Sequence, residues 1–102
     1  MAKRTRDYEE TLLERLQDRD YAVDYLNAVL ADEGDDASGE FLAALRLVAK
    51  ARGHSMSQLA EDAELGRQAL YRSLSKEGNP EFGTLTSVLR ELGLRLAVEN
   101  AA

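Results

Sequence analysis

The sequence predicts an all-α domain that ends in one short β-strand. Three observations carry that prediction. Apolar residues recur at helical spacing along most of the chain, two short helical segments meet at a tight turn in its middle, and strict alternation occurs once, in "LRLAVE" at 94–99. With 102 residues, 44% of them hydrophobic, the chain supports one modest core. A domain of this size hides only about 60–65% of its unfolded surface, so association with a second subunit would add stability.

The elements follow in order. Tyr8, Leu12, Leu13 and Leu16 fall on one helical stripe. Asp18 or Asp20 then caps a second helix, whose stripe is Tyr21, Ala22, Tyr25, Leu26, Val29 and Leu30. "DEGDDASGE", Asp32 to Glu40, has two glycines and no large apolar residue, so it reads as a loop and as the one internal boundary. It separates an acidic helical extension, residues 1–37, packed on the rest, from a domain at 38–102. Ser38 is the expected N-cap of a third helix, which carries Phe41, Leu42, Leu45, Val48 and Ala49 and stops near Gly53. "SMSQ", Ser55 to Gln58, fits a capping box, with Leu59, Ala60 and Ala63 behind it. Leu65-Gly66 is a turn, and Arg67 to about Leu74 forms another short helix with Leu70 and Leu74 inward. "SKEGNPEFG" is a loop, because Gly78, Asn79 and Pro80 forbid helix continuation. Thr84 is the expected cap of a last helix with Leu85, Val88, Leu89 and Leu92, ended by Gly93. The strand at 94–99 sets Leu94, Leu96 and Val98 against Arg95, Ala97 and Glu99. No second strand pattern exists in the chain, so this segment needs a partner from another chain, by dimerisation or by strand addition; the alternative is that it extends the last helix or packs as coil.

Composition excludes several classes of function. No cysteine is present, which removes disulfides and thiolate metal sites. No apolar run approaches the ~20 residues of a membrane span. The N-terminus, "MAKRTRDYEE", has basic residues but no apolar region after them, so it is not a signal peptide, and a cytoplasmic protein is expected. "DEGDD" lacks the ligand spacing and the distal Glu of a calcium loop. His54, the single histidine, follows a helix end. No nucleophile–base pair or phosphate-cradling loop stands out. Neither a metal, nor a cofactor, nor catalysis is expected.

The net charge of −6 is unevenly placed. Residues 1–37 hold five Lys/Arg against eleven Asp/Glu, and residues 38–102 hold eight of each. From Arg67 to Lys76 there are three cations and no acid. Fields of distant exposed charges fade over about 8 Å at physiological salt, so a local cationic face can meet phosphate while an acidic face points elsewhere.

That local face lies on the helix pair. Two short helices with a small residue, Ala60, at their crossing have the helix-turn-helix signature. The second helix turns Arg67, Gln68, Tyr71 and Arg72 outward. Arg pairs in bidentate fashion with guanine and Gln with adenine. Tyr71 can bond a phosphate or lie on a thymine methyl, while Arg72 and Lys76 are placed for the DNA backbone. A charged face that is merely solvated is the competing reading of the same residues.

Resemblance bears on that choice. Residues 38–99 resemble the Cro/C1-type (XRE-like) helix-turn-helix domain, which implies a lambda-repressor-like fold. More narrowly, "ALRLVAKARG", "MSQLAEDAELGRQALYRSLS", "GNPEFGTL" and "LRELGLRLAV" resemble the HigA-type addiction-module antidote proteins, the antitoxins of type II toxin–antitoxin pairs. The similarity continues through "LQDRDYAVDYLNAVLADEG" and so covers nearly the whole chain. It implies a dimer that represses its own operon by binding operator DNA. It also implies neutralisation of a small RelE/HigB-like toxin that cleaves messenger RNA. Carried over by position, the DNA-reading residues are Arg67, Gln68, Tyr71 and Arg72, with Ser55 near a phosphate. Two residues depart from the pattern. Glu64 holds a turn position that is often Gly, at a cost of about 1 kcal/mol if the left-handed conformation is kept. Met56 stands where Cro/C1 proteins often have a phosphate-binding Gln.

The first two helices carry Asp7, Glu9, Glu10, Glu14, Asp18, Asp20 and Asp24. Glu9, Glu10 and Glu14 are candidates for steering and holding a basic toxin; a solvated, aggregation-resistant face is the other reading. Two rival functions share the helix pair: a stand-alone phage-type repressor without a toxin, and a helix-turn-helix adaptor that binds protein alone.

Overall fold

Six helices make up the regular structure of the computed structural model, which describes residues 2–32, 34, 36–62, 64–75 and 78–101. They are α1 (Ala2–Leu16), α2 (Arg19–Ala31), α3 (Ala37–Ala51), α4 (Met56–Asp62), α5 (Arg67–Ser73) and α6 (Phe82–Glu91). None is long and apolar enough to cross a membrane.

The amphipathic stripes decide the packing. Leu12 and Leu16 of α1 and Ala22 and Leu26 of α2 bury against α3, which supplies Phe41, Leu42, Ala44, Leu45, Val48 and Ala49. Leu59 and Ala60 of α4, Leu70 of α5, Leu74, and Val88, Leu89 and Leu92 at α6 join the same cluster. Ala60 is buried, as the close crossing of α4 and α5 demands. Ala63 lies outside the described residues.

Helix starts show where side-chain chemistry and boundaries part. Asp18 is the N-cap of α2, and its carboxylate accepts from the Asp20 amide at 3.0 Å. Ser55 accepts from the Gln58 amide at 3.1 Å, the Ser half of the expected capping box. Ser38 and Thr84 are not caps. Helix α3 starts at Ala37 after Asp36, and α6 starts at Phe82 after Glu81. Both begin earlier than expected and take Gly39 and Gly83 into their first turns, because the glycine that reads as a loop signal only weakly opposes a helix. Gly39 is buried.

Three helix ends share one device. After α3, Gly53 donates to Lys50 and His54 to Ala49; after α6, Gly93 donates to Arg90 and Leu94 to Leu89. These are the paired hydrogen bonds that close a helix on a left-handed residue. Gly53 and Gly93 hold φ +80° and +75°. After α4 the same pattern recurs, Glu64 to Glu61 and Leu65 to Ala60, with φ +59° at Glu64. The left-handed turn is therefore kept, on a residue that carries a Cβ.

The expected C-terminal strand is not formed. Residues 94–101 carry no regular secondary structure. The reason is that a strand exists only through its ladder, and no other described segment pairs with this one. Leu94 is half-buried, whereas Leu96 and Val98 are exposed. Leu94 and Leu96 edge a groove whose other wall is Val23, Leu26 and Leu30 of α2.

Candidate nucleic-acid interface

Helix α5 sets its own outward face. Leu70, with Leu74 just beyond the helix, faces the core, so the 100° step leaves Arg67, Gln68, Tyr71 and Arg72 outside, and all four are exposed. Tyr71 keeps 61% of its surface. A tyrosine that exposed contributes little to the core. Lys76 lies outside the described residues.

Tertiary contacts place this face. The Arg67 Nη1 donates to Ser57 Oγ at 3.2 Å, which ties the first residue of α5 to the first turn of α4. At the other end Arg46 reaches from α3, and its Nη1 donates to the Leu74 carbonyl oxygen. A guanidinium at a helix C-terminus meets both an orphan carbonyl and the negative end of the helix dipole. Gly78 then turns back so tightly that a Cβ would run into the Arg72 and Ser73 carbonyl oxygens. Both ends of α5 are thus held from outside the helix.

Two shallow depressions flank Tyr71. Met56, Ser57, Arg67 and Gln68 line one. Arg46, Lys50, His54, Ser55 and Ser75 line the other, with Met56 and Tyr71 on the shared ridge. The fold thus brings together four of the expected residues on α5 and Ser55 on the neighbouring loop. It adds Ser57, Lys50 and Arg46. Helical periodicity within one segment holds no signal for these three, since they belong to other elements. The Ser55 hydroxyl caps α4 from an exposed position.

A family model described as "Probable addiction module antidote protein" matches residues 7–100 of this chain. The chain belongs to that family. A protein of Haemophilus influenzae described as uncharacterized is 34% identical over 101 residues, 99% of this chain and 97% of the relative. No solved structure matches. Membership makes a toxin of some kind the partner of this antidote. The acids considered for that contact, Glu9, Glu10 and Glu14, are all exposed on α1, far along the chain from α5.

Proposed function

We propose that the chain is a HigA-type antitoxin whose α4–α5 pair is a Cro/C1-type (XRE-like), lambda-repressor-like helix-turn-helix. On this reading it works in the cytoplasm by binding alone, with no catalysis. It neutralises a RelE/HigB-like mRNA-cleaving toxin and, as a dimer, represses its own operon. The observation that carries the DNA half is the outward face of α5, where Arg67, Gln68, Tyr71 and Arg72 stand exposed on a helix held at both ends. Family membership supports the toxin half. Arg67 and Gln68 would read base edges from the start of the helix, and Arg72 and Lys76 would meet phosphates. Pairing of the 94–99 segments of two copies, through Leu94, Leu96 and Val98, would supply the dimer and set two recognition helices about 34 Å apart.

Two experiments test this. In the first, the small reading frame adjacent to the gene is induced in a bacterial host, with and without this chain. Growth arrest relieved by the chain supports the antitoxin reading. Arrest without relief separates the chain from that toxin, and absence of arrest favours a stand-alone repressor. In the second, binding to the chain's own upstream DNA is followed against salt. Affinity should fall steeply as salt rises. Arg67→Ala should weaken operator binding by about 1–3 kcal/mol and relax specificity, while Arg72→Ala should weaken all sequences alike. No DNA affinity even at low salt would leave a protein-binding adaptor.

A further inference from the structure

The α1–α2 face carries a cluster that the helix pair does not use. Three of the four tyrosines of the chain, Tyr8, Tyr21 and Tyr25, converge there. Tyr8 and Tyr21 line one groove, floored by Leu12 and edged by Arg15. Tyr25 stands one turn beyond Tyr21; burial, then the neighbouring phenols of Tyr8 and Tyr21, push its pKa up.

Tyr8 is 70% exposed, so its ring does little for the core. Tyrosine offers a large apolar body, a polar tip and few rotatable bonds, which is why it dominates protein–protein contacts out of proportion to its abundance. The surroundings set the sign of the partner. From residue 8 to residue 31 the two helices and the turn between them expose Glu9, Glu10, Glu14, Asp18, Asp20 and Asp24 against two cations, Arg15 and Arg19. Phosphate would be repelled by that field, whereas a basic protein surface would be drawn to it.

We propose that Tyr8, Tyr21 and Tyr25 are the anchor by which this chain holds its toxin, and that the surrounding carboxylates steer a cationic toxin face onto them. The inference rests on the antitoxin reading and deepens it. The acids govern how fast the partners meet, and the tyrosines govern how long they stay.

The probe is the purified product of the adjacent small reading frame, its binding to the full chain followed at low and high salt. Tyr8→Ala and Asp24→Lys alter exposed positions, and an unchanged helical circular dichroism spectrum and melting midpoint check the fold. Tyr8→Ala should weaken binding by about tenfold or more, mostly through faster dissociation. Tyr8→Phe should restore most of it. Asp24→Lys should slow association by about threefold at low salt, with the difference fading at high salt. Wild-type binding that both variants match within twofold overturns the tyrosine anchor and leaves the antitoxin reading standing. A wild-type chain that neither binds this product nor relieves its growth arrest overturns the antitoxin reading, and the anchor falls with it.

Discussion

The α1–α2 face, packed on α3, and the α4–α5 face, packed through α4 on α6, share one buried core, yet they are built to opposite plans. The first has long helices, six exposed carboxylates from residue 8 onward and a groove of tyrosines. The second has two seven-residue helices, and its outward row from Arg67 to Arg72 holds two guanidinium groups and no acid. The long helices present wide stripes to α3 and are held by burial. The short ones are too brief to be stable alone, so their ends are tied by Ser55, the Arg67–Ser57 bond and Arg46. The lesson is that a net charge of −6 describes neither surface. A chain can carry an acidic face for one partner and a cationic face for another when the two lie on different helices and salt screens them from each other.

The contrast can be broken at the core. Leu16 is fully buried on α1 and belongs to the same cluster as Leu70 of α5. Leu16→Ala should cost about 2–5 kcal/mol, with both faces lost in a single urea transition followed by circular dichroism. Two separate transitions would show that the faces are independent bodies. The next effect is sharper. Arg46→Met keeps the aliphatic stem and removes the donor to Leu74, so the proposed DNA affinity should drop by about 1–3 kcal/mol while toxin binding at the proposed α1–α2 surface is kept. Unchanged DNA affinity would remove Arg46 from any role in placing α5.

The helix caps sharpen the comparison further. Asp18→Ala and Ser55→Ala should each cost about 1 kcal/mol in thermal or urea unfolding. Only Ser55→Ala should also weaken DNA binding, because Ser55 lies beside α5 and Asp18 does not. Glu64→Gly should raise stability by about 0.5–1 kcal/mol, the relief of a left-handed Cβ less the extra chain entropy of glycine. A loss of stability there would mean that the Glu64 side chain makes a contact worth more than the strain. The smallest effect is a pH limb. The Tyr25 phenol is held neutral above its ordinary range, chiefly by burial. The unfolded chain therefore ionises first, and stability should fall as pH rises through and beyond about 10. Tyr25→Phe should flatten that limb in melting curves taken between pH 8 and 11.

Much of this was legible in the chain. Leu59, Ala60, Leu70 and Leu74 are spaced so that only one face of each short helix can be buried, which leaves Arg67, Gln68, Tyr71 and Arg72 outside by geometry. The places where sequence reading slipped have local causes. Gly39 and Gly83 punctuate as loop residues, but each sits in a first helical turn, and the propensity of one glycine is a weak signal. The alternation at 94–99 is real in the residues, and one chain offers it nothing to pair with. Ser57, Lys50 and Arg46 were invisible as site neighbours because each belongs to a different element from α5.

By itself, then, the order of residues determined the helices, most of their buried stripes and the separation of acidic from cationic segments. Each is a property of spacing within a dozen residues. Only the tertiary structure decided that Arg46 would hold the end of α5, that Tyr8 would meet Tyr21 and Tyr25, and that Leu94 and Leu96 would border α2. Those are contacts between stripes, and which stripes meet depends on how all six helices fill one core.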